Sequence, residues 1–137
     1  MQKQYNNRVV TILGSTGELG SQLANYLIKK GVHVLLVFRK GYSEKLKRSV
    51  KLNNDVQILE VSTLFDKNLL DRIQNSSKII FNLTGLVSLS FSKKVYPHVL
   101  LINGFFPGLL AQPGKKFHVP IVYASTQRMK IVTQRDD

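Results

Sequence analysis

The 137-residue sequence has no cysteine, which removes a disulfide framework and any thiolate metal site from consideration. Histidine is scarce as well: His33, His98 and His118 are scattered without ligand partners at metal-binding spacing, so no metal site is expected. Long apolar runs are missing. The longest late stretch, VLLINGFFPGLL (99–110), is too short to span a bilayer and is interrupted by Asn103, Gly104 and Pro107. The opening MQKQYNN is polar, unlike a secretory leader. Together these absences lead us to expect a cytoplasmic protein with no membrane span. Acids are few, eight against twenty Lys and Arg, giving a net charge of +12. Such an imbalance is expected of a lysine-rich background composition, of a segment whose balancing acids lie elsewhere in a longer protein, or of a chain with an anionic partner. Nucleic acid is not the expected one, because the chain has no recognisable reading element and its aromatics form no stacking platform.

What is present is a 43% hydrophobic chain of the length of one domain. Residues 8–13 (RVVTIL) are β-branched and apolar, as in a buried strand. From Glu18 to Lys30, Leu19, Leu23, Tyr26 and Leu27 recur at helical spacing, which predicts a helix with these residues on its core face and Gly31 as its stop. Further strands are predicted at 32–38, 56–61, 78–83 and 119–124. Helices are predicted at 43–52, at 66–74 with Asp66 as cap, and over 91–111, where Pro97 and Pro107 require a break or a late start. Strands alternating with helices, with continuously apolar strands, specify an α/β fold. The expected architecture is a Rossmann-like, doubly wound parallel sheet of about five strands in the order 3-2-1-4-5, its ligand crevice at the carboxyl ends.

Three glycines fall where the first strand should turn into the first helix, in ILGSTGELG (12–20). A helix start leaves its first N–H groups unpaired, and with the helix dipole they attract anions. Gly14 would allow the turn, Gly17 would let a pyrophosphate approach the backbone, and Gly20 would let the helix pack closely; Ser15 and Thr16 would add hydroxyl donors. A glycine triplet in this strand-to-helix setting points to a dinucleotide. At the end of the second strand, dinucleotide folds that use NAD carry an acid for the ribose 2′-hydroxyl. Here Arg39 stands at that place with Lys40 beside it, and Lys45, Lys47 and Arg48 follow. A planar guanidinium and a point charge suit a 2′-phosphate, so NADP is expected in preference to NAD.

The G-x-x-G-x-x-G spacing resembles the short-chain dehydrogenase/reductase superfamily, in particular its extended branch, the NAD-dependent epimerase/dehydratase family. IFNLTGL (80–86) is similar to the segment after the fourth strand, which implies that Leu83, Thr84 and Gly85 border the nicotinamide side. Asn103 stands where the family has the Asn of an N-V-x-G-T motif, and IVYAST (121–126) resembles a fifth strand ending in a Ser/Thr pair. The chain departs from the pattern at Glu18, in place of an uncharged residue, and at Thr63, in place of an Asp for adenine, leaving Leu64 to support the ring. GFFP (104–107) replaces the usual continuation after the Asn.

The resemblance implies that Thr126, with Ser125 beside it, polarises a substrate oxygen, while a Tyr and a Lys four residues on transfer the proton and hold the nicotinamide ribose. No Tyr follows Thr126 in the remaining 11 residues, and Tyr26 with Lys30 is a Y-x-x-x-K in the wrong helix. We therefore expect residues 1–137 to be the NAD(P)-binding part of an epimerase, dehydratase or reductase, ending before that pair and before a substrate lobe. Its substrate would be a sugar nucleotide or a related carbonyl or alcohol, and its assembly a homodimer. The alternative from another class is a non-catalytic dinucleotide-binding sensor or accessory subunit.

Overall fold

The computed structural model describes residues 8–85, 100–111 and 119–124. Five parallel strands form one sheet: β1 (Val9–Leu13), β2 (Val34–Arg39), β3 (Val56–Val61), β4 (Ser77–Asn82) and β5 (Ile121–Tyr123), in the order β3-β2-β1-β4-β5. This is the order expected of the doubly wound fold. Between the strands lie α1 (Glu18–Lys29), α2 (Ser43–Ser49), α3 (Lys67–Ser76) and α4 (Phe106–Leu110), the last preceded by a wide π-type turn over Leu100–Phe105.

Alternation along the strands divides the core between the two faces of the sheet. Val10, Ile12, Val34, Leu36 and Phe38 meet Ala24 of α1 and Leu46 of α2 on one face. Leu13, Leu35, Val37 and Ile80 meet Leu70 and Ile73 of α3 and Phe106 and Leu110 of α4 on the other. Burial on both faces explains the apolar runs of β1 and β2, which Thr11 alone breaks in β1. β3 differs, because it is an edge strand, and Gln57, Ile58 and Glu60 are exposed.

The polar groups within this core are placed on purpose. Thr11 is buried on the α3 face, 2.5 Å from the Ser77 hydroxyl, which itself donates to Ile73 O. Since the Ser77 proton goes to Ile73, the Thr11 hydroxyl is the donor of the pair. α3 runs into β4 without a loop, and the strand begins at Ser77, one residue earlier than the sequence predicts. Asp66 caps α3 as expected, accepting from Asn68 N at 3.0 Å and Leu69 N at 3.3 Å. Gly31 ends α1 with φ +78°, and α2 stops at Ser49, because Val50 turns extended and is buried in the core.

Two expectations need correction. Tyr26 does not lie on the core face of α1: it is 59% exposed, with Lys30 Nζ 5.7 Å from its ring centroid. The buried line of α1 runs through Gly20 and Ala24, and two residues beyond Ala24 is about 200° round the helix, so Tyr26 faces out. Leu19 leaves that stripe too and is 57% exposed. Over 91–111, only 100–111 are described; the break falls at Phe105, with Pro107 in the first turn of α4, where its missing N–H does no harm.

Candidate dinucleotide site

At the carboxyl end of the sheet, the chain leaves β1 toward β2 on one side and lies against β4 on the other. The crevice of a doubly wound fold opens at that reversal, and the three glycines line it. Gly14 has φ +82°, and a Cβ there would lie 2.8 Å from the backbone of Leu83. The turn after β1 and the end of β4 are thus in backbone contact, secured by Leu83 N–H donating to Leu13 O at 3.0 Å. Gly20 is equally constrained: a Cβ would meet Gly14 O at 2.1 Å. Its closeness is to the turn itself more than to the strands behind it. Gly17 is different. It is exposed, and a Cβ would come no nearer than 3.4 Å to Gly14 O. The protein therefore does not need Gly17 to be glycine for its own packing, and the free space lies toward solvent at the start of α1.

α1 begins with Gly17 as N-cap and has no side-chain cap. Its first-turn amides, those of Glu18, Leu19 and Gly20, belong to the group that a helix cannot satisfy internally. Glu18 and Leu19 are both exposed at this mouth. Thr16 is half-buried within the turn. Ser15 is a correction to the expectation of a phosphate-facing hydroxyl. It is fully buried, and its Oγ donates to Val37 O at 3.0 Å, as does its N–H at 3.3 Å. Ser15 therefore fastens the turn to β2 and has no hydroxyl proton to offer a ligand.

Arg39 is the last residue of β2, paired with Val61, and is exposed together with Lys40. Both stand at the carboxyl edge, one strand from the glycines. Thr63 is exposed just beyond β3, where its hydroxyl accepts from Phe65 N–H at 3.1 Å. Leu64 is half-buried and packs against the core. On the other side of the crevice, Thr84 directs both its N–H and its hydroxyl to Asn82 Oδ1, at 3.2 and 2.5 Å. A Cβ on Gly85 would lie 3.8 Å from Asn103 Oδ1, and Tyr123 of β5 donates its hydroxyl to Asn103 O at 3.1 Å. The structure thus brings together Gly14, Leu83, Thr84, Gly85 and Asn103. Thr126 and Ser125 lie outside the described residues, as do His98 and His118.

Two contributors escaped sequence reasoning. Asn82, 1% exposed, shapes the lip after β4, and its Nδ2 has no hydrogen-bond partner among the described residues. An Asn followed two residues later by a Thr at a strand end was the available signal. The departure GFFP also gains a reason. Phe105 stacks on Phe65 at 6.3 Å and Phe106 meets it edge-on at 5.7 Å, which seats the turn carrying Asn103.

The residues present fit a dinucleotide: two glycines hold the turn by contacts that a Cβ would destroy, while a third leaves the helix start open. Residues 10–129 match the sequence model described as the NAD dependent epimerase/dehydratase family. A UDP-N-acetyl-alpha-D-glucosaminuronate decarboxylase of Bacillus cytotoxicus is 28% identical over 120 residues, covering 86% of this chain and 36% of that protein. The chain thus spans little more than a third of this curated relative. Among solved structures, a UDP-glucuronic acid 4-epimerase from Bacillus cereus in complex with NAD has a TM-score of 0.69 at 18% identity, over 86% of this chain and 39% of that one. A UDP-glucose 4-epimerase from Thermotoga maritima with UDP-glucose gives 0.67 at 22% identity, over 85% and 37%. These TM-scores show a shared fold, and at such identities the fold alone.

Proposed function

Because the chain belongs to the NAD-dependent epimerase/dehydratase family, we propose that residues 1–137 form the dinucleotide-binding domain of an oxidoreductase-type epimerase, dehydratase or reductase, acting on a sugar nucleotide or related carbonyl or alcohol. The carrying observation is the contrast among the glycines. Gly14 and Gly20 are fixed by the protein's own backbone, whereas Gly17 is open to solvent at an uncapped helix start. Phosphate oxygens would meet the first-turn amides there, with the helix dipole behind them. Leu83, Thr84, Gly85 and Asn103 would border the nicotinamide half. When bound, the dinucleotide supplies hydride exchange, and the protein supplies orientation and acid–base groups. Thr126, with Ser125 beside it, would polarise the substrate oxygen. The cytoplasm is the compartment we assign, and a homodimer the assembly.

The preferred cofactor in this reading is NADP. Several relatives solved with a dinucleotide carry NAD, but exposed Arg39 at the end of β2 would repel nothing in a 2′-phosphate and would offer it a two-pronged donor. Calorimetric titration of NADP and NAD into wild type and Arg39→Asp tests both levels. We expect tighter NADP binding by wild type and a reversed preference in the variant. Binding of neither dinucleotide overturns the site, and tighter NAD binding by wild type overturns the preference alone.

A further inference from the structure

The turn that carries Arg39 into α2 is closed by Tyr42 N–H donating to Arg39 O at 3.1 Å, with Gly41 at φ +91° as its third residue. That geometry returns Tyr42 toward the residue three before it. The Arg39 guanidinium lies 5.4 Å from the Tyr42 ring centroid, and Lys45 Nζ, one turn along α2, lies 5.8 Å from the same centroid. Both distances are within the range of cation–π attraction. Tyr42 is 37% exposed, and its backbone is held on both sides, since its carbonyl also accepts from Leu46 N–H at 3.0 Å. The nearby acid Glu44 lies 3.7 Å from Lys47 instead.

Two like charges drawn to one ring need an explanation, because exposed cations otherwise separate. We infer that Tyr42 is a positioning residue that gathers Arg39 and Lys45 into a two-cation site for the phosphomonoester on the adenosine ribose. This inference rests on the reading of Arg39 as the residue facing that ribose. The ring orders two long side chains before the ligand arrives, which removes part of the entropy loss from binding. It acts through the cations and does not touch the phosphate. Its effect therefore falls on a dinucleotide that bears the phosphate and not on one that lacks it.

The test is the affinity of the protein for NADP and for NAD in wild type, Tyr42→Leu, Tyr42→Phe and Arg39→Asp. Ordering one or two long side chains on binding corresponds to roughly 3- to 10-fold in affinity. Tyr42→Leu is therefore expected to weaken NADP by about that factor while leaving NAD unchanged, and Tyr42→Phe, which keeps the ring, is expected to match wild type. Unchanged NAD binding also reports that the leucine variant is folded. If Arg39→Asp reverses the preference but Tyr42→Leu does not alter it, the role of Tyr42 is overturned and the reading of Arg39 stands. Equal weakening of both dinucleotides overturns it too, since the ring would then support the adenosine or α2. A phenylalanine variant that behaves like the leucine variant assigns the effect to the hydroxyl and overturns the ring's part. A wild type without preference for NADP overturns Tyr42 and Arg39 together.

Discussion

Replacing Gly20 by alanine should damage the fold, whereas replacing Gly17 should damage binding. A Cβ on Gly20 would lie 2.1 Å from Gly14 O and 2.9 Å from Gly14 C. The obstacle is backbone, already fixed on its far side by the contact between Gly14 and Leu83, so it cannot withdraw. Forced overpacking of this kind costs typically ~1–3 kcal/mol, and the better helix propensity of alanine returns at most about 1 kcal/mol. The net loss of roughly 1 kcal/mol, set against a urea slope of ~1–3 kcal/mol per molar, should lower the unfolding midpoint by about 0.5 M. At Gly17 the backbone is at φ −71° and ψ 168°, which any residue adopts, and a Cβ finds 3.4 Å of room. Gly17→Val should therefore unfold within about 1 kcal/mol of wild type, the modest loss being that of a poorer N-cap. Its branched side chain would nevertheless stand in the open space before the first-turn amides. Loss of one charge-assisted hydrogen bond is worth ~1.5–3 kcal/mol, so dinucleotide affinity should fall by ~10- to 100-fold. Urea unfolding by circular dichroism and calorimetric titration on the same two variants provide the comparison. An unshifted midpoint for Gly20→Ala, or undiminished affinity for Gly17→Val, would refute the division of labour among the glycines.

Other perturbations have equally definite outcomes. Asp66→Ala removes the side-chain acceptor for two amides of α3 and should cost ~1 kcal/mol in chemical denaturation. Asn25 donates to Ser49 O at 2.8 Å and accepts from Lys51 N–H at 3.0 Å, joining α1 to the end of α2; Asn25→Ala should cost ~1–3 kcal/mol by the same assay. Asn82→Ala frees Thr84 beside the Leu83–Gly14 contact, so stability should drop by ~1–3 kcal/mol and dinucleotide affinity should fall with it. Raising salt should weaken NADP more steeply than NAD, because only the former carries the phosphate that the exposed charges of Arg39, Lys40 and Lys45 would engage in the proposed reading.

The parts of this fold that can be seen in the sequence are those set by local chemistry. β-Branched runs closed by Gly14 and the pattern ending at Gly31 place β1 and α1 within a residue or two, because positive-φ glycines punctuate the chain whatever surrounds them. Alternation of such elements then dictates strand order through the handedness of crossovers. Helical spacing alone does not say which of two apolar lines of α1 faces inward; the sheet takes Gly20 and Ala24, the small residues that allow close approach, and leaves Tyr26 outside. Ser15 is ambiguous in sequence for a related reason: a hydroxyl in a phosphate-type turn can face the ligand or the next strand, and only tertiary contact with Val37 decides. The pairing of Phe65 with Phe105 and Phe106 joins residues some forty positions apart, and no local pattern signals it.

The central claim is that dinucleotide phosphates bind at the open start of α1. Backbone amide chemical shifts, followed by heteronuclear NMR during titration with NADP, test it most directly. The account predicts saturable binding with the largest downfield shifts at Glu18, Leu19 and Gly20, as expected of amides that gain charged acceptors, and smaller changes at Gly85 and Asn103. Saturable binding that leaves the amides of residues 17–20 in place, or no binding at all, would contradict it.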